Sequence, residues 1–443
     1  MKKIFALIAA ATVMMSILFA VPVNAAEFQI NFQTECRSIY LENLDTGIVV
    51  YTKEPDARRY PASTTKIMTY IVTAENVKDF KNTFVTIKAK TLKLLEGTGS
   101  SVAGLEPDEK LSIYQLLNCL MIPSGNDAAL VLADYIGNGS IQKFVDMMNQ
   151  KAEELGCTGT HFSNPHGLND PNHYTTVSDM AKITKYALKM PDFEEISNTT
   201  YSECLGEDRY LITTNYMIDE NRGGSYYYPY AKGIKTGSTG NDSGYCLVST
   251  AEKDGFSYLC IAYGAKYENE ETEEYYENGA MIDSKKLYEW AFNKLEMKTI
   301  IDKNELVKEI GLKFAWNRDS IQLSPKESYS TILPTDVKLS SIDRVYDIPE
   351  NVDAPVKAGD KAGTVTLSYA GQELGTVDLV ISETVERSEL LIAMDAIKKI
   401  VTSVWFMIAV GVAVALFLGY IVLATVYNHR KRNSRPVKKY RKF

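Results

Sequence analysis

The chain has 443 residues, 45% of them hydrophobic and 23% charged, which is longer than one core usually grows and predicts two or more folded units. Its formal net charge of -8 is unevenly placed: removing Lys2, Lys3 and the terminal Arg430, Lys431, Arg432, Arg435, Lys438, Lys439, Arg441 and Lys442 leaves about -18 on the remainder. A body that acidic, with no basic stripe interleaved with aromatics, repels phosphate backbones, so no nucleic-acid partner is expected.

Lys2 and Lys3 precede an apolar run from Ile4 to about Val21, and Val23-Asn24-Ala25-Ala26 offers small residues for cleavage. Residues 1–26 therefore read as a signal peptide, with an uncleaved N-terminal anchor as the alternative. Two short strands come next between about Ser38 and Tyr51, around the turn Asp45-Thr46-Gly47. Pro61 is placed to open a helix on which Ile67, Met68, Ile71 and Val72 recur at helical spacing. Helical patterns return at Ile113 to Met121, Ala128 to Ile136, Ile141 to Leu155 and Ser178 to Leu188. From Ala231 the pattern turns to strands at Gly233 to Thr236, Tyr245 to Thr250 and Tyr258 to Tyr263, and Ala280 to Lys294 reads as a closing helix. Strands, then helices, then strands imply one α+β unit over 27–298. The Glu- and Tyr-rich run from Tyr267 to Glu277 reads as a solvated surface segment.

Short alternating runs such as Thr364 to Tyr369 and Gly375 to Ile381, about the turn Ala370-Gly371, predict a small all-β domain over 299–388. No charge occurs from Ile400 through Asn428, and Trp405, Tyr420 and Tyr427 sit toward the margins, as expected of a single transmembrane helix crossing about 30 Å of hydrocarbon. Eight basic residues come after it, against Lys398 and Lys399 just before. The positive-inside rule thus places the tail, 429–443, in the cytoplasm and the body outside the cell membrane. The six cysteines lack the close pairs of a zinc site, and Cys119, Cys246 and Cys260 stand in apolar stretches as buried thiols.

Three short elements stand in order: Ser63-Thr64-Thr65-Lys66, Ser124-Gly125-Asn126 and Lys235-Thr236-Gly237. A serine hydroxyl is a weak nucleophile until a base takes its proton, and a lysine three residues later on a helix faces the same side. That lysine acts as a base only when neutral, which desolvation or a nearby positive charge such as Lys235 favours. Alone, Ser-x-x-Lys means little, and Ser140-Ile141-Gln142-Lys143 is a decoy in the same chain. Taken alone, Ser124-Gly125-Asn126 reads as turn and capping residues between two helices.

In this order the trio is the signature of class A β-lactamases and penicillin-binding proteins, with Asp there in place of Gly125. Together with Tyr60-Pro61-Ala62-Ser63, Met121-Ile122-Pro123, Asn164-Pro165-His166-Gly167-Leu168 and Gly233-Ile234, it resembles the low-molecular-mass D-alanyl-D-alanine carboxypeptidases. The resemblance is strong over about 38–298 and weaker over the β domain after it. It implies a β-lactamase/transpeptidase-like α+β domain, a small all-β domain and a membrane anchor. It further implies that Ser63 attacks the carbonyl between two D-alanines, Lys66 is the acylation base and Ser124 relays a proton. Asn126 would bind the substrate backbone and Lys235 and Thr236 the terminal carboxylate, with the amides of Ser63 and Ser238 as the oxyanion hole. The implied partners are peptidoglycan stem peptides ending in D-Ala-D-Ala, β-lactam antibiotics and the cytoplasmic membrane.

No cofactor or metal is expected. His161, His166 and His173 lie within thirteen residues, but their spacing puts no two on one helix face, and a lysine base leaves a Ser-His-Asp site no role. Two departures from the family are legible: a fully spanning rather than amphipathic anchor, and the tyrosine-rich segment Asn221 to Tyr230, which either shapes the cleft or covers the sheet. Alternatives are a D,D-endopeptidase, a class A-like β-lactamase, and a non-catalytic scaffold that binds peptidoglycan.

Overall fold

The computed structural model describes residues 28–206 and 208–433, so the expected signal peptide and residues 434–443 of the basic tail lie outside the described residues. The chain divides into two compact units. The first runs through Lys298 and takes in Thr331–Ser341; the second comprises Thr299–Ser330 and the chain from Ile342.

At the centre of the first unit is a five-stranded sheet. Its members are β1 (Ser38–Asn43), β2 (Val49–Lys53), β3 (Ala231–Gly237), β4 (Tyr245–Lys253) and β5 (Phe256–Ala265), in the order β2-β1-β5-β4-β3. The N-terminal hairpin joins the C-terminal strands through β1 and β5, antiparallel from Ser38 opposite Tyr263 to Asn43 opposite Tyr258. Side chains alternate along a strand, and both faces of β5 are covered. Leu259, Ile261 and Tyr263 enter one buried core, while Tyr258, Cys260 and Ala262 enter another. This is why its sequence is an unbroken apolar run.

The second of these cores is closed by the helix Gly279–Lys294, through Met281, Leu287, Tyr288 and Ala291. The tyrosine-rich segment belongs to it: Tyr228 is buried and lies nearly parallel to Tyr288, with ring centroids 6.1 Å apart, and the hydroxyl of Tyr226 accepts from the Asn278 amide at 3.0 Å. These rings cover the sheet and the helix. The first core is helical. Its middle is α1 (Lys66–Asn76), buried on every side from Lys66 to Thr73, and around it pack α2 (Ile113–Met121), α3 (Asn126–Ile136), α4 (Ile141–Glu154) and α5 (Val177–Ala187). A helix buried on every side needs neighbours all round, and α1 has them.

The second unit carries a six-stranded sheet that includes Ser320–Pro325, Lys361–Tyr369 and Gln372–Ile381, with Leu323, Val365, Leu367, Val377 and Leu379 buried. The α+β domain followed by an all-β domain is therefore the observed architecture. Two helices end the described chain, Glu389–Val401 and Val404–Asn433. The apolar run expected to begin at Ile400 is split, because Thr402 caps the first helix and the Ser403 hydroxyl accepts from the Phe406 amide at 3.1 Å to start the second. The span Val404–Lys431 contains an 18-residue window with a mean hydropathy of 2.7 and is long and apolar enough to cross a bilayer.

The entry to α2 is a reciprocal cap, with the Ser112 hydroxyl accepting from the Gln115 amide and the Gln115 side chain accepting from the Ser112 amide. Ser112→Ala should lower the unfolding free energy by about 1 kcal/mol in urea denaturation. An unchanged midpoint would show that tertiary packing, not the cap, fixes this helix start.

Candidate active site

Pro61 precedes one tight turn, Ala62–Thr65, that runs directly into α1, so Ser63 and Lys66 project from the same side of one continuous coil. The Lys66 amine is fully buried and lies 2.9 Å from Ser63 Oγ, 2.5 Å from Asn126 Oδ1 and 2.8 Å from the His166 carbonyl oxygen. Burial, and next the positive charge of Lys235, hold its pKa well below the ordinary lysine value, against an opposing pull from Asp127. The N-H bonds of Lys66 are directed at the Ser63, Asn126 and His166 oxygens, and once the amine is neutral its lone pair can take the Ser63 hydroxyl proton in place of the N-H now directed there. A serine so placed can be deprotonated as it attacks.

Asn126 is the first residue of α3, and the loop before it is tightly constrained. Ser124 has φ +64°, in the left-handed region that costs an L-residue about 1–2 kcal/mol. It is buried, and among the described residues its hydroxyl hydrogen-bonds to neither Ser63 nor Lys66. A Cβ on Gly125 would fall 2.7 Å from Asp127 Oδ1 and 2.8 Å from the Cys119 carbonyl oxygen, so the Asp of the related signature does not fit here. Asp127 itself holds the neighbouring loop by accepting from the amides of Ala103 and Leu105 at 2.9 and 3.1 Å.

The third element lies at the end of β3, where the pairing with β4 shifts register between Lys232 and Lys235 and so re-aims the residues beyond it. Lys235 is 1% exposed, donates to the Thr236 carbonyl at 3.1 Å, and is brought down to about 7 by burial. The Thr236 hydroxyl bonds the Thr214 hydroxyl, and the hydroxyl oxygen of Ser238 is shielded from solvent with no hydrogen-bond partner. A Cβ on Gly237 would meet the Pro61 carbonyl oxygen at 3.0 Å and the Ser63 amide at 3.1 Å, so glycine here lets the strand end close on the serine.

The structure thus gathers Ser63 and Asn126 about the Lys66 amine, places Ser124 two residues before Asn126, and closes β3 on Ser63. Ser140 of the decoy motif is the N-cap of α4, accepting from the Lys143 amide at 3.3 Å. Three contributors were not legible. The His166 carbonyl reaches Lys66 from 100 residues away, on a loop where Gly167 has φ +95° and any Cβ would overlap the Ala62 carbonyl oxygen. The Asn164-Pro165-His166-Gly167 pattern was the only sign of it. His173 Nδ1 accepts from the Ser163 amide at 3.0 Å, so its proton sits on Nε2, which donates to the Thr65 hydroxyl at 2.7 Å. The Thr214 partner of Thr236 had no local sign at all.

Burial lowers His166 to about 3 and His173 to about 4, below the usual 6.5. The unfolded chain therefore binds more protons than the folded one between those values and 6.5. This contribution to stability is complete above pH 6.5 and is lost as pH falls toward about 4. Unfolding free energy measured from pH 7 to pH 4 should decline, and His173→Gln should flatten the decline whatever its effect at pH 7. Gly125→Asp should destabilise the chain by at least about 1–3 kcal/mol through overpacking, checked by the same measurement.

A family model described as D-alanyl-D-alanine carboxypeptidase matches residues 24–266, more than half of the chain, and one described as the C-terminal domain of penicillin-binding protein 5 matches 295–387. The chain is 30% identical to the D-alanyl-D-alanine carboxypeptidase DacF of Bacillus subtilis, covering 80% of this chain and 87% of that protein. It is 29% identical to DacC of Escherichia coli, also named a D-alanyl-D-alanine carboxypeptidase, covering 83% and 89%. The solved structure of penicillin binding protein 5 from Haemophilus influenzae superposes with a TM-score of 0.61 at 25% identity, over 81% of this chain and 100% of that one. With a serine, a buried lysine and the ordered trio inside the matched region, the chain belongs to the D-alanyl-D-alanine carboxypeptidase family of serine peptidases.

Proposed function

We propose that the chain removes the terminal D-alanine of peptidoglycan stem peptides through an acyl-enzyme on Ser63, and that β-lactams acylate the same serine. The observation that carries this reading is the Lys66 amine, buried, depressed in pKa and 2.9 Å from Ser63 Oγ. In the proposed reaction Ser63 Oγ bonds to the carbonyl carbon between the two D-alanines as its proton passes to Lys66. The oxyanion is held by the amides of Ser63 and Ser238. The C-N bond then breaks, and the departing amine of D-alanine takes the proton, relayed through Ser124. Water hydrolyses the ester, with Lys66 again accepting a proton. Asn126 positions the substrate backbone, and Lys235 and Thr236 hold the terminal carboxylate.

Slow release of a bound β-lactam is favoured over rapid hydrolysis. The loop from Thr160 to Thr176 contains no Glu to position a deacylating water, and its one carboxylate, Asp170, accepts from the Asn172 amide at 2.7 Å within a turn. A D,D-endopeptidase would use the same chemistry on a cross-link. The domain organisation proposed with this function is a cleaved signal peptide, residues 1–26, a catalytic domain over 27–298 and a β spacer over 299–388. The helix from Val404 crosses the cytoplasmic membrane, with the catalytic domain outside and the basic tail inside, as the flanking charges favour.

Mass spectrometry of the purified protein with penicillin should show one covalent adduct on Ser63, and D-alanine should be released from a peptide ending in D-Ala-D-Ala. Ser63→Ala should abolish both and Lys66→Ala should slow acylation by about 10³-fold or more. An adduct retained on the Ser63→Ala protein would sink the nucleophile assignment. In the free enzyme the Lys235 ammonium is lost as pH rises through about 7, so kcat/KM should fall above that pH. A bound carboxylate stabilises the ammonium, so the alkaline limb of kcat should lie higher. A kcat/KM that climbs steadily to pH 10 would mean that Lys66 is an ordinary, protonated lysine.

A further inference from the structure

We infer that a cavity lined by Arg37, Arg58 and Arg59 is a second substrate-binding site, which takes a carboxylate carried by the cell-wall peptide beyond the dipeptide that is cut. This rests on the proposed reading of Ser63. The cavity has a volume of about 490 Å³, and its lining also includes Tyr174, Asp242 and Ser243. Three arginines and one aspartate line it, inside a chain whose net charge is -8. The carboxylate is not paired with them: Asp242 Oδ2 accepts from the Asn169 side chain at 2.6 Å.

Of the three arginines only Arg59 is neutralised by a carboxylate. Arg59 donates to the Ser38 hydroxyl at 2.9 Å and pairs with Glu54, which makes it the structural member of the three. The Arg58 guanidinium lies over the Tyr174 ring, 4.2 Å from its centroid; a ring covers one face of the fork and leaves the edge N-H groups to a ligand. The Arg37 stem lies across Gly264, where a Cβ would stand 3.2–3.4 Å from three of its carbons. Among the described residues neither Arg37 nor Arg58 has an ion pair. Glu268, Glu270 and Glu271 line a separate hollow that also borders Arg37, and none of them bonds to it. Two exposed guanidiniums beside a third make a site for a planar oxyanion, which Arg binds with two parallel N-H bonds.

Its position connects it to the nucleophile. Tyr60 lines the cavity and is three residues from Ser63, hence within about 11 Å along the chain. The loop that gives the His166 carbonyl to Lys66 runs on to Pro171, Asn172 and Tyr174 in the cavity wall, and the strand that carries Lys235 runs on to Asp242 and Ser243. Backbone bonds between Arg59 and Thr175, at 2.7 and 2.9 Å, fasten the first two walls together, and Thr239 and Asn169, bonded at 2.6 Å, join the other. A substrate held at Ser63 can therefore place a neighbouring group here within one or two residues of its length, and the fixed negative groups of a peptide are carboxylates.

The test uses two peptides ending in D-Ala-D-Ala, alike except that a carboxylate upstream of the dipeptide is free in one and amidated in the other, with the full chain. The parent enzyme should show a KM about tenfold lower for the free carboxylate. In R58Q and in R37Q/R58Q the preference should vanish through KM, with kcat kept and the amidated peptide unaffected. Both side chains are exposed, so folding should be preserved. Equal kcat/KM for the two peptides in the parent, or an equal loss on both in the variants, overturns the proposal. Calorimetry of the same peptides with Ser63→Ala measures binding without turnover. A preference there that R37Q/R58Q removes supports the cavity even if no D-alanine is ever released, which would instead refute the proposed reaction. If poly(glycerol phosphate) binds through Arg37 and Arg58 while the free-carboxylate peptide shows no preference, the ligand is a phosphodiester and the carboxylate assignment is wrong.

Discussion

Taking the Lys66 amine out of water is the constraint that governs this unit. An ammonium taken from water costs several kcal/mol unless paired, and among the described residues Lys66 has no salt bridge. Asp127 is near enough to act on it, but that carboxylate is occupied by the Ala103 and Leu105 amides. The amine is surrounded instead by three oxygens, of Ser63, Asn126 and His166, each within reach of one of its N-H bonds. Lys235, buried nearby, adds a second penalty on charging Lys66, so the two lysines work as unequal partners.

Assembling that set requires three chain segments to approach at backbone distance. The N-terminal turn of α1, the N-terminus of α3 and the Asn164–Leu168 loop meet at Lys66, and the end of β3 closes over Ser63. Gly167 and Gly237 stand where any Cβ would press on the Ala62 or Pro61 carbonyl, and Gly125 where it would strike Asp127. Ala62, next to Ser63, and Ser124, two residues before Asn126, hold left-handed backbone at about 1–2 kcal/mol each. Such strain persists because α1 is packed on every side and cannot relax without opening the helical core.

Much of this architecture was legible because its signals are local. Ile67, Met68, Ile71 and Val72 announced α1, and Tyr258 to Tyr263 announced a strand, which the structure buries on both faces. The Ser140 motif shows the limit of local reading: it has the same spacing as Ser63 and Lys66, yet its serine caps a helix on the surface. Composition did not decide whether the tyrosines from Tyr226 to Tyr230 shaped the cleft, since a ring serves either place; their stacking on Tyr288 and their bond to Asn278 put them over the sheet. The apolar run from Ile400 gave no warning of the break at Thr402 and Ser403, because a hydroxyl cap is too small to register in hydropathy.

Short-range order is written in the linear chain. A serine and a lysine stand one helical turn apart, two further motifs come behind them in family order, and an apolar span near the end has basic residues beyond it. The depressed pKa of Lys66 arises only on folding, because its causes are burial and the charge of Lys235, which lies far along the chain. The same holds for the arginine cavity. Arg58 and Arg59 are neighbours in sequence, but Arg37 and Tyr174 join them only when the hairpin, the loop and the sheet are folded together. Charge and desolvation act through space, and a linear pattern records neither.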